Sequence, residues 1–358
     1  MSKKTQKKSS LKSLILVLLL TAVLLVVSTY AWFTANREVQ VSNIEVNVEA
    51  QNGIEISVDG YTWKTILTVE DLKNASATYA AAVNQIPTTL QPVSSSGAIN
   101  AEGRQLMYYG NVTPDEDADS DTYGQYILTS EAQTDANGTN GNYVAFDMFL
   151  KLDSATATTP VYLNSRSGIT VPESSTDTGL KNSARISFIN EGFVATENIS
   201  NVDAIQALKL DGTVEGAINK ISGNANAYIW EPNCNIHTAS GISNAFTYYG
   251  KTIQADSILT SYDGLNTTFA SKIALSNAKV MVDDTQTDGV DESTFFKKVT
   301  PNLQTNVNNT AQTNLMTLSS GVTKIRVYFW IEGQDVDCEN NASGSKITLN
   351  LDLTTTAI

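Results

Sequence analysis

Ile347-Thr348-Leu349-Asn350-Leu351-Asp352-Leu353 alternates apolar and polar residues without a break. A period of two belongs to a strand with one face in a core and the other toward water. The pattern recurs upstream. Lys324–Ile331 sets Ile325, Val327, Phe329 and Ile331 against Lys324, Arg326, Tyr328 and Trp330. Tyr143–Leu152 places Val144, Phe146, Met148, Leu150 and Leu152 on one face. Nearer the start, Ile44, Val46, Val48 and Ala50 alternate with Glu45, Asn47 and Glu49. Gln51-Asn52-Gly53 then signals a turn, and Ile54, Ile56 and Val58 alternate before Asp59-Gly60. This pair reads as a hairpin with one wet face.

Weaker signals fill in the rest. Short strands are expected at Leu106–Gly110, Tyr123–Thr129, Val161–Asn164, Ala184–Asn190 and Ala227–Trp230. Helical spacing is confined to two places. In Asn201–Leu210, Val202, Ile205 and Leu208 share a face behind a capping Ser200 or Asn201; Ala75–Val83 is the second, capped by Asn74 or Ser76. Residues 231–320 are weakly patterned and read as a variable central insertion. Many short strands with few helices predict an all-β fold, an antiparallel β-sandwich of jelly-roll type. The strongest strands stand at the two ends of this region, and their pairing would close one domain around the middle.

Leu14–Phe33 is of another kind. Its 20 residues are apolar and carry no charge. As a helix rising about 1.5 Å per residue it would span roughly 30 Å, a bilayer core. Five lysines precede it (Lys3, Lys4, Lys7, Lys8, Lys12) and no acid does. The segment is expected to be one hydrophobic helix, a signal peptide or a transmembrane anchor. Thr29-Tyr30-Ala31 offers small residues for a cut after Ala31, which favours cleavage. Tyr30, Trp32 and Phe33 cluster where the aromatic belt of a retained anchor would lie. Under either reading residues 1–13 are a basic cytoplasmic segment, 14–33 the export segment, and 34–358 an extracellular β-sandwich.

The chain carries a net charge of −14; with five lysines in its first 33 residues, the remainder carries −19. Such an acidic surface disfavours nucleic acid and anionic lipid, and suits solubility. Outside a membrane the two cysteines, Cys234 and Cys338, are expected to form a disulfide, with two free buried thiols as the alternative. Each follows an apolar strand end bearing Trp, then Glu, then a turn, so two neighbouring strand ends would be stapled. The one histidine, His237, excludes zinc sites built on several histidines, and no Gly-x-Ser-x-Gly elbow is present. It reads as a structural or surface residue. Asp115, Asp117, Asp119 and Asp121 stand at alternate positions with Glu116, and Asp283, Asp284, Asp288, Asp291 and Glu292 form a second cluster. Oxygen ligands at this density suit calcium, against the plainer reading of solvated acidic loops; neither cluster has the EF-hand closing Glu. No other cofactor is implied, and no residue is assigned a catalytic role.

Ser28-Thr29-Tyr30-Ala31-Trp32-Phe33-Thr34 resembles the signal-peptide end of the TasA/camelysin-like secreted proteins of Gram-positive bacteria. There a Thr-aromatic-Ala-aromatic-Phe junction, read by a dedicated signal peptidase, precedes an amphipathic strand. The resemblance covers roughly the first 60 residues. It implies export, a jelly-roll-like domain, and filaments of the biofilm matrix or cell surface. It makes Thr29, Tyr30, Ala31, Trp32 and Phe33 a processing region. It makes Ile44, Val46, Val48 and Ala50 a donor strand that completes a neighbour's sheet. Departures are the greater length, the central insertion and the two cysteines. Three readings stand: a structural protein whose partner is itself, an anchored adhesin recognising glycan or protein, and an exported hydrolase whose carboxylates no motif singles out.

Overall fold

The computed structural model describes residues 38–48, 53–121, 123–124, 126–152, 158–210, 227–243, 254, 264–265, 273–274, 296–297, 301–305, 313–333, 335, 337–338 and 344–356. Leu14–Phe33, with its expected hydrophobic helix, lies outside them. Among the described residues, no helix is long and apolar enough to cross a membrane.

In chain order the strands are β1 (Val39–Val48), β2 (Ile54–Ser57), β3 (Ile66–Thr68), β4 (Asn84–Gln85), β5 (Thr89–Leu90), β6 (Met107–Pro114), β7 (Tyr126–Gln133), β8 (Val144–Leu152), β9 (Thr158–Leu163), β10 (Gly168–Thr170), β11 (Ala184–Ala195), β12 (Tyr228–Glu231), β13 (Gly264–Leu265), β14 (Ile273–Ala274), β15 (Phe296–Lys297), β16 (Leu303–Gln304), β17 (Thr313–Ser319), β18 (Gly321–Ile331) and β19 (Lys346–Thr354). Two short α-helices, α1 (Val69–Asn74) and α2 (Val202–Gln206), a helical turn over residues 239–243 and a few 3₁₀ turns accompany the strands among the described residues. The fold is all-β.

Sheet A runs β17-β9-β19-β1-β3, with β10 on β19 and β5 on β1. Sheet B runs β16-β12-β11-β18-β8-β2, with β4 on β8. Their apolar faces share one core. Sheet A gives it Ile44, Val46, Ile347, Leu349, Leu351 and Leu353; sheet B gives it Phe146, Met148, Ile186, Ile325, Val327 and Phe329, all buried. The strand expected to close the domain does so: β1 lies beside β19, with Val46 opposite Leu351 and Val48 opposite Leu353.

Two expectations need correction. The sheets are mixed rather than antiparallel, because β1 runs parallel to β19 and β12 parallel to β16. And β1 and β2 form no hairpin. β1 pairs with β19, β3 and β5 in sheet A, while β2 pairs with β8 in sheet B. Both strands point alternate apolar residues into the same core from opposite sheets, a pattern that alternation alone cannot tell from a hairpin.

Bulges explain what the pattern hid. β1 begins at Val39, earlier than its clean alternation, because a register shift between Val41 and Asn43 reverses the parity of the inward residues. A shift between Asn314 and Met316 likewise breaks the alternation of β17, which was not foreseen. The helix expected over Ala75–Val83 lies instead at α1. Thr68 accepts a hydrogen bond from Asp71 N, and the Asp71 carboxylate accepts one from Thr68 N, a capping box that starts the helix upstream. α2 falls where expected, capped by Asn201, whose side chain accepts from Ala204 N at 3.1 Å.

Removing the Leu351 side chain leaves a void between the sheets. Leu351→Ala is expected to lower unfolding free energy by about 2–5 kcal/mol, read as a shift in the urea midpoint.

Candidate functional site

The donor strand of the sequence reading is seated in its own sheet. β1 is bonded along both edges. Gln40 N donates to Ser345 O at 2.8 Å on the β19 side; Val41 N donates to Thr88 O at 3.0 Å and Val48 N to Thr65 O at 2.9 Å on the other. Val39, Ile44, Val46 and Val48 are buried, and Gln40 and Ser42 are exposed. The outer face of the seam is polar: Asn47 Nδ2 donates to Glu45 Oε1 at 2.8 Å and to Asn350 Oδ1 at 3.0 Å. Four buried aliphatic side chains are worth about 1.5–3 kcal/mol each, an upper figure because an unfolded chain already covers some surface. Their sum, about 6–12 kcal/mol, matches the whole stability of an ordinary domain. The slot between β19 and β3/β5 therefore has to be filled by a strand of this chemistry. Ala50 and Thr29–Phe33 lie outside the described residues.

The two cysteine-bearing turns do come together, but not through sulfur. No disulfide joins Cys234 and Cys338, and both are buried. β12 and β18 are not paired with each other: β11 runs between them. Cys338 packs into the main core, while burial and then Glu231 push the Cys234 thiol up to about 11. The staple is ionic. Arg185 of β11, fully buried, reaches Glu231 Oε1 at 2.8 Å in one turn and Asp335 Oδ2 at 2.6 Å in the other. Beside it, His237 Nδ1 lies 2.8 Å from Asp337 Oδ2, and Asp337 Oδ1 accepts from Thr238 N at 2.8 Å. The sequence reading missed Arg185. Its signal was a lone arginine on an apolar strand, with a Glu following each of two flanking strands.

The first acidic cluster, Asp115–Asp121, lies in the loop between β6 and β7. Among the described residues no three His, Cys, Asp or Glu side chains converge on a metal-sized site. Asp115 Oδ1 accepts from Asp117 N at 3.2 Å, and Asp117 Oδ1 from Asp119 N at 3.2 Å, so one oxygen of each carboxylate braces successive turns of the loop. Asp121 follows along the same loop. The cluster Asp283–Glu292 lies outside the described residues.

A second buried network occupies the outer face of sheet B. Asp147 of β8 is fully buried; its Oδ1 accepts from Arg326 Nε at 2.9 Å, and its Oδ2 lies 3.2 Å from Lys324 Nζ. Lys324 Nζ also donates to Tyr79 OH at 3.0 Å and Leu208 O at 2.9 Å. Glu191 joins because it is the extra residue of a bulge in β11, beside Gly192 at φ +122°. Its Oε2 accepts from Leu210 N at 2.9 Å, and its Oε1 stands 3.2 Å from Arg326. Burial would raise the Asp147 pKa, but Arg326 and Lys324 hold it below the carboxylate range. Burial raises Glu191, Glu231 and Asp337.

The signs give a pH dependence. A raised carboxylate pKa stabilises the fold at low pH, and that contribution is lost as pH climbs from the ordinary value, 4.5 for Glu, through the folded one. Asp147 acts oppositely, and its contribution is lost only as pH falls below the ordinary 3.8. Urea midpoints should therefore peak in mildly acidic buffer, above 3.8, and decline as pH rises from there. Arg185→Met leaves Glu231 and Asp335 buried without their shared cation. It is expected to cost about 3–5 kcal/mol at neutral pH and less in mildly acidic buffer, where Glu231 takes up a proton. The difference between the two pH values is the measurement that separates lost charge pairing from lost packing.

Comparison with known proteins adds no relative: no family model, no curated protein and no solved structure matches the chain.

Proposed function

We infer that this chain is an exported structural protein of the cell surface or extracellular matrix. In this reading it is a jelly-roll-like sandwich that joins copies into filaments by donating β1 to a neighbour's sheet. The observation that carries it is the slot of β1, which is bonded on one edge by the sequence-distant β19 and on the other by the nearer β3 and β5. A neighbour's β1 would meet the same partners, so exchange sacrifices no contact. β1 ends in sheet A and β2 begins in sheet B, so exchange requires those two strands to part. Leu14–Phe33 supplies export, and a cut within Thr29–Phe33 releases the segment leading into β1. Before the cut, or without it, the same segment holds the protein on the membrane.

Two measurements test this. Intact mass of the native protein should begin near Trp32. Electron micrographs of residues 34–358 should show ordered filaments. A chain beginning at Gly53 should form none, yet should take up a synthetic peptide of residues 38–50. A monodisperse monomer at high concentration, with no uptake of the peptide by the shortened chain, sinks the reading.

A further inference from the structure

A cleft of about 420 Å³ opens at one corner of the molecule, between the two sheets. One wall is the segment running from the end of β9 through β10 to Lys181. The other is the end of β12 with Pro232 and Asn233, together with Thr305 just past β16. Its volume lies in the range of about 300–1,000 Å³ typical of small-molecule sites.

The walls are fixed before any ligand arrives. Asn164 N donates to Asp352 O at 2.8 Å, Ser167 N to Asn164 O at 2.9 Å, and Ser167 Oγ to Asp352 O at 3.0 Å. Asn233, nineteen-twentieths buried, donates from Nδ2 to Lys181 O at 3.2 Å and so ties one wall to the other. The floor is apolar: Leu163, Ile169 and Trp230 belong to the main core. Trp230 is held in place by its indole N–H, which donates to Thr305 Oγ1 at 3.0 Å.

Charge decides the class of ligand. The walls carry two cations, and each is already matched. Arg166 pairs with Asp352, and Lys181 Nζ lies 2.6 Å from Asp177 Oδ2. Glu173, exposed on the rim, is the remaining charge of the lining. An anion would have to displace a carboxylate from one of these cations within a chain of net charge −14. A ligand with hydroxyls around its edge and apolar C–H faces meets no such cost. It finds amides, hydroxyls and paired ions at the rim and carbon at the floor.

We propose that this cleft binds a neutral oligosaccharide. The site is independent of filament assembly, since its walls exclude β1.

The test uses the full chain, purified in a sugar-free zwitterionic detergent, and calorimetric titration with cellotriose, maltotriose, xylotriose and N,N′,N″-triacetylchitotriose. Trigalacturonate serves as the anionic counterpart. At least one neutral trisaccharide should bind in the millimolar range or tighter, and trigalacturonate should bind at least about tenfold more weakly. Thr170→Trp fills the cleft from an exposed rim position and should weaken binding by about tenfold or more with thermal unfolding unchanged. Glu173→Ala, exposed and outside the core, provides a second variant should the first fail to fold, and should weaken binding severalfold. The proposal is overturned if no neutral trisaccharide binds at about 10 mM. It is equally overturned if trigalacturonate binds as well as the neutral trimers, or if neither variant alters the affinity.

Discussion

β18 is buried along all eleven of its residues, on both faces, and most of sheet B follows from that constraint. Its inward side chains are aliphatic or aromatic and meet sheet A. Its outward side chains include Lys324 and Arg326, which have no water to solvate them. An unpaired ion there would cost several kcal/mol, so each neighbouring strand supplies a counter-charge. β8 brings Asp147, and β11 brings Glu191 by inserting a residue. The covering layer adds the rest. Tyr79 and Leu208 accept from the lysine, while Tyr328 OH donates to Asp135 Oδ2 at 2.9 Å and accepts from Gln105 N at 3.2 Å. Around these polar groups Val83, Val93, Met107, Ile189 and Leu210 form a second apolar cluster. Buried ions of this kind add little net stability. They favour the register in which every charge meets its partner, because a shift by one residue would strand them.

This is also where sequence reading stops short. The alternation of Lys324–Ile331 shows a strand and its inward face, and the structure agrees. The same alternation suggests that Lys324, Arg326, Tyr328 and Trp330 face water, whereas they face a layer made from loops. Nothing in a period of two distinguishes solvent from a polar network of matching charges. The segments that build the layer, 75–107 and 204–210, are irregular, and irregular backbone leaves no periodic mark. Bulges removed other signals: Ser42 and the region of Leu315 shift parity within a strand, so a correct strand reads as a broken one.

The corner that holds Cys234 and Cys338 shows the same difference between pattern and partner. The turns after the two Trp-bearing strands do meet at one corner, although the strands themselves are not adjacent. What neither end could reveal was the strand between them, nor that its Arg185 would join the two acids. The cleft was likewise illegible. Its walls come from β9–β10, the end of β12 and residue 305, which are far apart in the chain and lack a shared motif. The seam of β1 was the most legible part, since both strands that form it carry clean alternation over several residues.

That seam has a consequence for the order of events. β1 and β19 are separated by about three hundred residues, and parallel strands cannot be joined by a local turn. Completion of sheet A therefore waits on β19. Until β19 arrives, β1 and β3 have no completed sheet to enter, and an unpaired apolar strand remains available to any similar chain nearby. The interval before β19 is made is when β1 is most open to pairing with another chain.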